Sequence, residues 1–317
     1  MTERQNKILE LIRLKNSVLS IKSKLNISDK ELINIVRTLR DNGYNIEDKY
    51  YIEDGQLFSL SDRYIRGNTE ITLNEDTENI SFVAMSDTHL LSRYEAKGEI
   101  DQIYEYVSKE NIKYVFHMGD FIHGRDYING YDFDRSRFEK LLREYPKDDN
   151  IVTFLVLGNH DIKPIQKEQY SIENVMKKTR LDIVPIGYNK QDINIGLSTI
   201  ELCHKKPSII DYQTAPNLIL SGHKHIYKVN SYINSNSIHS LHISVPSVSN
   251  IIIGNDNVLQ KGFVRLNLVV DQQKFQELNV EQFTFFDKIT KVGEYTHQFK
   301  KIKRWKYFTN YEKFSIL

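Results

Sequence analysis

Apolar residues in the first forty positions recur three and four apart, the period of an amphipathic helix. Ile8, Leu11, Ile12 and Leu14 follow a Thr2–Gln5 pair spaced as a capping box, Val18, Ile21 and Leu25 follow Ser17, and Leu32, Ile35, Val36 and Leu39 follow a second such pair, Ser28–Glu31. This spacing predicts three short helices, the last stopped by Gly43. The period then drops towards two: Tyr50-Tyr51-Ile52 and Leu57-Phe58-Ser59-Leu60 flank Asp54-Gly55, which predicts a hairpin. Residues 61–79 are polar and read as a connector in which Ile71-Thr72-Leu73 could add an edge strand. From Ile80 onward short apolar runs alternate with helical patterns. Strands are predicted at Ile80–Met85, Ile112–Phe116, Ile151–Leu157, Thr199–Cys203 and Leu218–Leu220, with helices around Ile100–Val107 and over Phe138–Tyr145. That rhythm predicts a layered α/β sheet with functional groups at the strand carboxyl ends.

Composition narrows the class. Of 317 residues 40% are hydrophobic and 27% charged, enough for a large core, and the formal net charge of +1 advertises no polybasic chain. No apolar run approaches the roughly 18 residues of a membrane span. The polar start, Met1 to Asn6, lacks a signal-peptide core, so a soluble cytoplasmic protein without membrane partners is expected. One cysteine excludes an internal disulfide and a Cys-rich zinc site. The three helices and ribbon of residues 1–62 resemble a winged helix-turn-helix domain, with residues 63–79 as linker. On that reading the helix from Ser28 to Arg40 would offer Lys30, Asn34 and Arg37 to a DNA groove. Residues 1–66 hold twelve Lys/Arg against ten Asp/Glu, a weak phosphate surface, so an assembly role competes with DNA contact.

The chemistry lies in the loops that leave the strands of residues 80–286. Asp87-Thr88-His89 comes after the first and Gly119-Asp120, with His123 three residues on, after the second. Gly158-Asn159-His160-Asp161 comes after the third, His204 directly after Cys203, and Gly222-His223-Lys224-His225 closes the set. Carboxylate, amide and imidazole together suit borderline divalent ions such as Mn²⁺, Fe²⁺ or Zn²⁺. Each piece alone is an ordinary turn; the ordered set at successive strand ends is not.

This set resembles the signature of the calcineurin-like metallophosphoesterases over about residues 80–270. The resemblance implies a four-layer α/β sandwich with two divalent metals at the sheet edge, Mn²⁺ first among them. Asp87, His89, Asp120 and His225 would hold one; Asp120, bridging, with Asn159, His204 and His223 would hold the other. Two such cations ~3.5–4 Å apart activate a bridging water for in-line attack on a phosphoester. His160 would stand beside the phosphate as the catalytic histidine, with Asp161 either orienting its ring or making a turn contact. His123 stands where the serine/threonine phosphatases of this superfamily carry Asp, and this looks like the Mre11/SbcD branch of DNA nucleases, where such a histidine assists catalysis. His117 reads as a core residue, and His239 and His242 receive no role. The layout departs from that branch in its amino-terminal module and short carboxyl-terminal part, so no ATPase partner is inferred; related nucleases dimerise, which makes a homodimer an expectation.

Residues 287–317 carry eight Lys/Arg against three acids, interleaved with Tyr295, Phe299, Trp305, Tyr307, Phe308, Tyr311 and Phe314. They read as a basic, aromatic tail that either binds single strands or packs as a final helix. The leading expectation is therefore a dinuclear-metal phosphodiesterase or nuclease acting on DNA. The alternatives are a small-molecule phosphodiesterase or phosphomonoesterase, and a DNA-binding regulator with a vestigial metal site.

Overall fold

The computed structural model describes residues 1–44, 46–60, 69–74, 76–124, 133–164, 170–206, 216–234, 236–251 and 261–301. The chain opens with α1 (Glu3–Arg13), α2 (Val18–Leu25) and α3 (Asp29–Asp41), followed by the hairpin β1 (Ile46–Tyr51) and β2 (Gly55–Leu60). The helices begin where the capping residues predict: the hydroxyls of Thr2, Ser17 and Ser28 accept from Gln5, Ser20 and Glu31 backbone N–H groups. Ile8, Ile12, Ile21, Leu32, Val36 and Leu39 close a small core against Ile46 and Phe58. Leu14, expected on the buried face, is instead the exposed C-cap of α1.

The hairpin is not a free wing. β1 pairs in parallel with β3 (Thr69–Thr72), and β3 in parallel with β8 (Lys190–Ile195). The expected connector thus holds an interior strand rather than an edge one, with Ile71 fully buried. Four residues carry too little periodicity to announce this, and only the neighbouring strands supply their partners. Ion pairs join the module to the body: Lys22 reaches Asp149 at 2.6 Å and Lys147 reaches Asp29 at 2.7 Å.

Two mixed sheets form the body. One runs β15-β14-β13-β4-β5-β6-β7, built from β4 (Asn79–Met85), β5 (Tyr114–His117), β6 (Val152–Leu157), β7 (Ile183–Tyr188), β13 (Gly262–Asp271), β14 (Lys274–Phe285) and β15 (Ile289–Gln298). The other runs β11-β12-β10-β9-β8-β3-β1-β2 and adds β9 (Ser198–Cys203), β10 (Leu218–Ser221), β11 (Lys228–Ile233) and β12 (His239–Ser244). Strands β4 to β7 are parallel, the arrangement that α4 (Lys97–Lys109), α5 (Arg135–Glu144) and the crossover helix α6 (Ile172–Thr179) require. Both faces of β4, β5 and β6 are covered, which explains their unbroken apolar runs. On β4, Phe82 and Ala84 join Phe116, Phe154, Leu202 and Leu220 between the sheets, while Val83 and Met85 meet Ile103, Val107 and Leu142 beneath the helices. Truncating a ring such as Phe154 there costs about 3–5 kcal/mol. Among the described residues helices, sheet and sheet stack as successive layers of a mixed α/β fold.

β13, β14 and β15 form an antiparallel meander. Residues 289–298, read from sequence as the start of a tail, are therefore its last strand. Phe299 packs on Phe275 in the core, whereas Lys303, Arg304, Trp305 and the aromatic residues beyond them lie outside the described residues. Among the described residues no helix is long and apolar enough to cross a membrane.

Candidate metal centre

The carboxyl ends of β4, β5 and β6 lie in register, Met85 beside His117 and His117 beside Leu155. In the other sheet Cys203 of β9 aligns with Ser221 of β10. The loops leaving these five ends bring all nine predicted residues to one edge. Asp87 (φ 53°), His89 (42°), Asp120 (50°), His223 (67°) and His225 (55°) adopt left-handed backbone, which side-chain-bearing residues rarely do. Strain concentrated on five of the seven proposed ligands marks the edge as a functional site. The glycines let the loops approach. A Cβ on Gly222 would stand 1.9 Å from Ser86 Oγ and 2.8 Å from Asp87 Oδ2, and one on Gly158 2.3 Å from Asp120 Oδ1.

Two donor groups converge. Asp87 Oδ1 lies 3.3 Å from His225 Nε2 and 3.9 Å from His89 Nε2, and His89 Nε2 lies 3.8 Å from Asp120 Oδ2. His204 Nε2 lies 3.3 Å from the same Asp120 Oδ2, 3.0 Å from Asn159 Oδ1 and 3.2 Å from His223 Nδ1. Asp120 Oδ2 therefore belongs to both groups, where a bridging ligand would stand. Buried Asp87 Oδ1 has no hydrogen-bond partner, an orphan that a cation would satisfy. Mixed oxygen and imidazole donors in this arrangement fit two borderline divalent ions. His89, His123 and His160 also cluster, but there His89 presents Nδ1, at 3.1 Å from His123 Nδ1, and keeps Nε2 for the carboxylates.

Neighbouring groups fix these donors. The Ser86 hydroxyl and the His223 backbone N–H donate to Asp87 Oδ2 at 2.6 and 2.9 Å, and Ser247 Oγ donates to the Asp87 carbonyl. His204 Nδ1–H donates to the Met118 carbonyl at 2.8 Å, which turns the Nε2 lone pair to the site. His117 is buried, as expected; its ring touches Thr88 Oγ1 and accepts from Gly119 N–H, tying two of the loops together. Asp161 takes the turn-contact alternative. It accepts from the backbone N–H groups of Phe121, Ile122 and Gly158 and makes no bond to the His160 ring.

The electrostatics favour cations. Burial opposes ionisation of Asp87 and Asp120, yet the adjacent imidazoles of His225 and His204 hold both carboxyls below the usual range. Burial works against charge on His204 too, but Asp120 and Asp87 push its pKa up to about 9. His89, His160 and His223 are lowered, chiefly by burial, and so tend to the neutral form that ligates. Burial and then Asp120 push Asp161 up to about 7.

Sequence reasoning missed Lys163, whose Nζ lies 2.8 Å from His160 Nδ1. It also missed the anchoring roles of Ser86 and Ser247. A lysine five residues beyond Gly158 carries no motif, and serines near strand ends are too common to signal anything.

This edge is the site of a metal-dependent phosphoester hydrolase in its donor set and topology. Residues 80–254, more than half of the chain, match the family described as Calcineurin-like phosphoesterase, and the chain belongs to that family. No curated protein matches it. Among solved structures, vacuolar protein sorting 29 from Cryptosporidium parvum is similar at 13% identity and TM-score 0.45, over 70% of this chain and 100% of that one. GAP50, the anchor in the inner membrane complex of Plasmodium, is similar at 13% and 0.40 over 72% and 90%. The nuclease MPE of Pseudomonas putida is similar at 12% and 0.33 over 61% and 85%. At such scores none of them speaks to what this chain acts on.

Proposed function

We propose that the protein is a dinuclear-metal phosphodiesterase that cuts DNA. The observation that carries this reading is the position of His123. Its ring lies 4.6 Å from that of His160 and its Nδ1 reaches His89, so a second imidazole stands beside the proposed catalytic one. Asp87, His89, Asp120 and His225 would hold one cation; Asp120, Asn159, His204 and His223 the other. When bound, the cations polarise phosphate oxygens and lower the pKa of a coordinated water. The chain's own residues do the rest. His160 Nδ1–H donates to the His123 carbonyl at 2.7 Å, which leaves Nε2 to exchange a proton at the leaving oxygen. Asp120 accepts from the His160 backbone N–H at 2.8 Å and so ties that histidine to the bridging carboxylate.

A lysine shelf supports a polyanionic substrate. Lys205, Lys206 and Lys224 adjoin the site histidines in the chain, and Lys228 pairs with Ser244 at the end of β12; all four are exposed, and none forms an ion pair among the described residues. Exposed Tyr188 stands at the end of β7, beside Leu157 and the Gly158 loop. Cations with an adjacent aromatic face are what single strands bind.

One observation favours the small-molecule alternative. Asp29 begins the helix that would enter a DNA groove by its amino-terminal end, yet it is buried beneath Lys22 and Lys147. Lys30, Asn34 and Arg37 are exposed, but the module is docked as part of the body. The deciding experiment is cleavage of labelled single- and double-stranded DNA in Mn²⁺ beside bis-p-nitrophenyl phosphate, with His160→Ala as control. Cleavage of DNA by wild type alone supports the nuclease reading. Cleavage of the small diester alone keeps the centre and moves the substrate to small molecules.

A further inference from the structure

We propose that Lys163 is a substrate-binding residue of this centre, taking a non-bridging oxygen of the phosphate as a fixed cation on the side away from the metals. The inference rests on the phosphoesterase reading and deepens it. Lys163 Nζ lies 2.8 Å from His160 Nδ1 and 3.3 Å from Nε2. Because Nδ1–H donates to the His123 carbonyl, only the Nε2 lone pair can accept from the ammonium. At most one of three ammonium hydrogens is used there, and among the described residues no other acceptor takes the remaining two. Lys163 Nζ stands within 3.3 Å of both ring nitrogens, so an oxygen docking beside the His160 ring meets the ammonium as well.

Four other enclosed cations each face a carboxylate. Lys22 faces Asp29 and Asp149, Lys261 faces Glu99, Arg180 faces Asp182 and Arg265 faces Glu110. Half-buried Lys163 faces an imidazole, and no carboxylate among the described residues pairs with it. Asp161, two residues away, is committed to three backbone N–H groups. Gly124 fixes the geometry: at φ 71° its Cα side lies against this turn, and an added Cβ would stand 2.2 Å from the His160 carbonyl oxygen and 3.3 Å from Lys163 Cβ. A cation held at the catalytic histidine and paired with no carboxylate among the described residues is built for an anion that arrives with the substrate.

The test uses the full chain loaded with Mn²⁺ and inorganic phosphate as the probe, titrated calorimetrically into wild type, Lys163→Met and Lys163→Arg. One charge-assisted hydrogen bond lost predicts phosphate binding weaker by roughly 10- to 100-fold in Lys163→Met, with Arg recovering most of it. Mn²⁺ stoichiometry and thermal melting of each variant separate this from misfolding, and Lys163→Gln replaces Met if the latter does not fold. Phosphate binding by Lys163→Met equal to wild type overturns the inference, as does failure of wild type to bind phosphate. The functional reading fails separately: wild type that binds phosphate through Lys163 yet hydrolyses no phosphoester keeps the inference and discards the activity.

Discussion

The imidazoles of His123 and His89 meet nitrogen to nitrogen, Nδ1 to Nδ1 at 3.1 Å, although one is a proposed metal ligand and the other is not. One of the two nitrogens must carry the hydrogen, so His123 orients the ring whose far side faces Asp87 and Asp120. The pair thus links the metal side of the site to His160, whose ring is 4.9 Å from that of His89.

Roles inside the centre separate by mutation. His160→Ala should keep Mn²⁺ binding and lose about 10²- to 10⁴-fold in kcat. His123→Ala should lose less turnover, and Asp120→Ala should lose the metals, because its Oδ2 serves both groups. Equal metal loss in His160→Ala and Asp120→Ala, measured by calorimetry, would contradict this assignment.

Gly222→Ala should cripple metal uptake without touching a ligand. Its Cβ would fall 1.9 Å from Ser86 Oγ and force apart the two loops that carry Asp87 and His223. Mn²⁺ affinity should drop by at least about tenfold, as for loss of groups that orient ligands. Wild-type affinity in this variant would show that the loops have slack.

Above about pH 7, where the lowered His89, His160 and His223 no longer titrate, metal-free protein should lose stability as pH rises. The folded pKa of His204, about 9, lies above its ordinary value of 6.5, so the stabilisation is complete below 6.5 and is lost as pH climbs through 9. Asp161, raised to about 7, acts in the same direction. Metal binding gains over the same range because protons no longer compete for His204. The gap in Tm between Mn²⁺ and EDTA samples, scanned from about pH 7 to 9.5, should therefore widen with pH; a constant gap would refute the His204–Asp120 linkage.

Removal of residues 1–60 should not release a clean catalytic domain. β3 would lose β1 and become an open edge beside buried Ile71, and Asp149 and Lys147 would lose Lys22 and Asp29. Light scattering should find the truncated chain aggregated, and a milder variant, Asp29→Ala, should cost about 1–3 kcal/mol in denaturant unfolding. A monodisperse truncation with wild-type Tm would show the module to be independent.

The local sequence determined much of this protein. Thr2, Ser17 and Ser28 set the helix starts because caps act within one turn of chain. The apolar runs of β4, β5 and β6 announce a sheet covered on both faces, and the Asp, Asn and His residues after each strand end fix the donor chemistry. Sequence order cannot carry which distant groups meet. Strand β3 becomes interior only because β1 and β8 lie on either side of it, and residues 289–298 become a strand only because β14 offers an edge. Asp120 is shared between two donor groups because loops from both sheets close on one point. Lys163 acquires meaning only when folding sets it on His160 with Gly124 against the same turn. Periodicity and capping are properties of neighbours in the chain, whereas ligation, bridging and counter-charge are properties of neighbours in space.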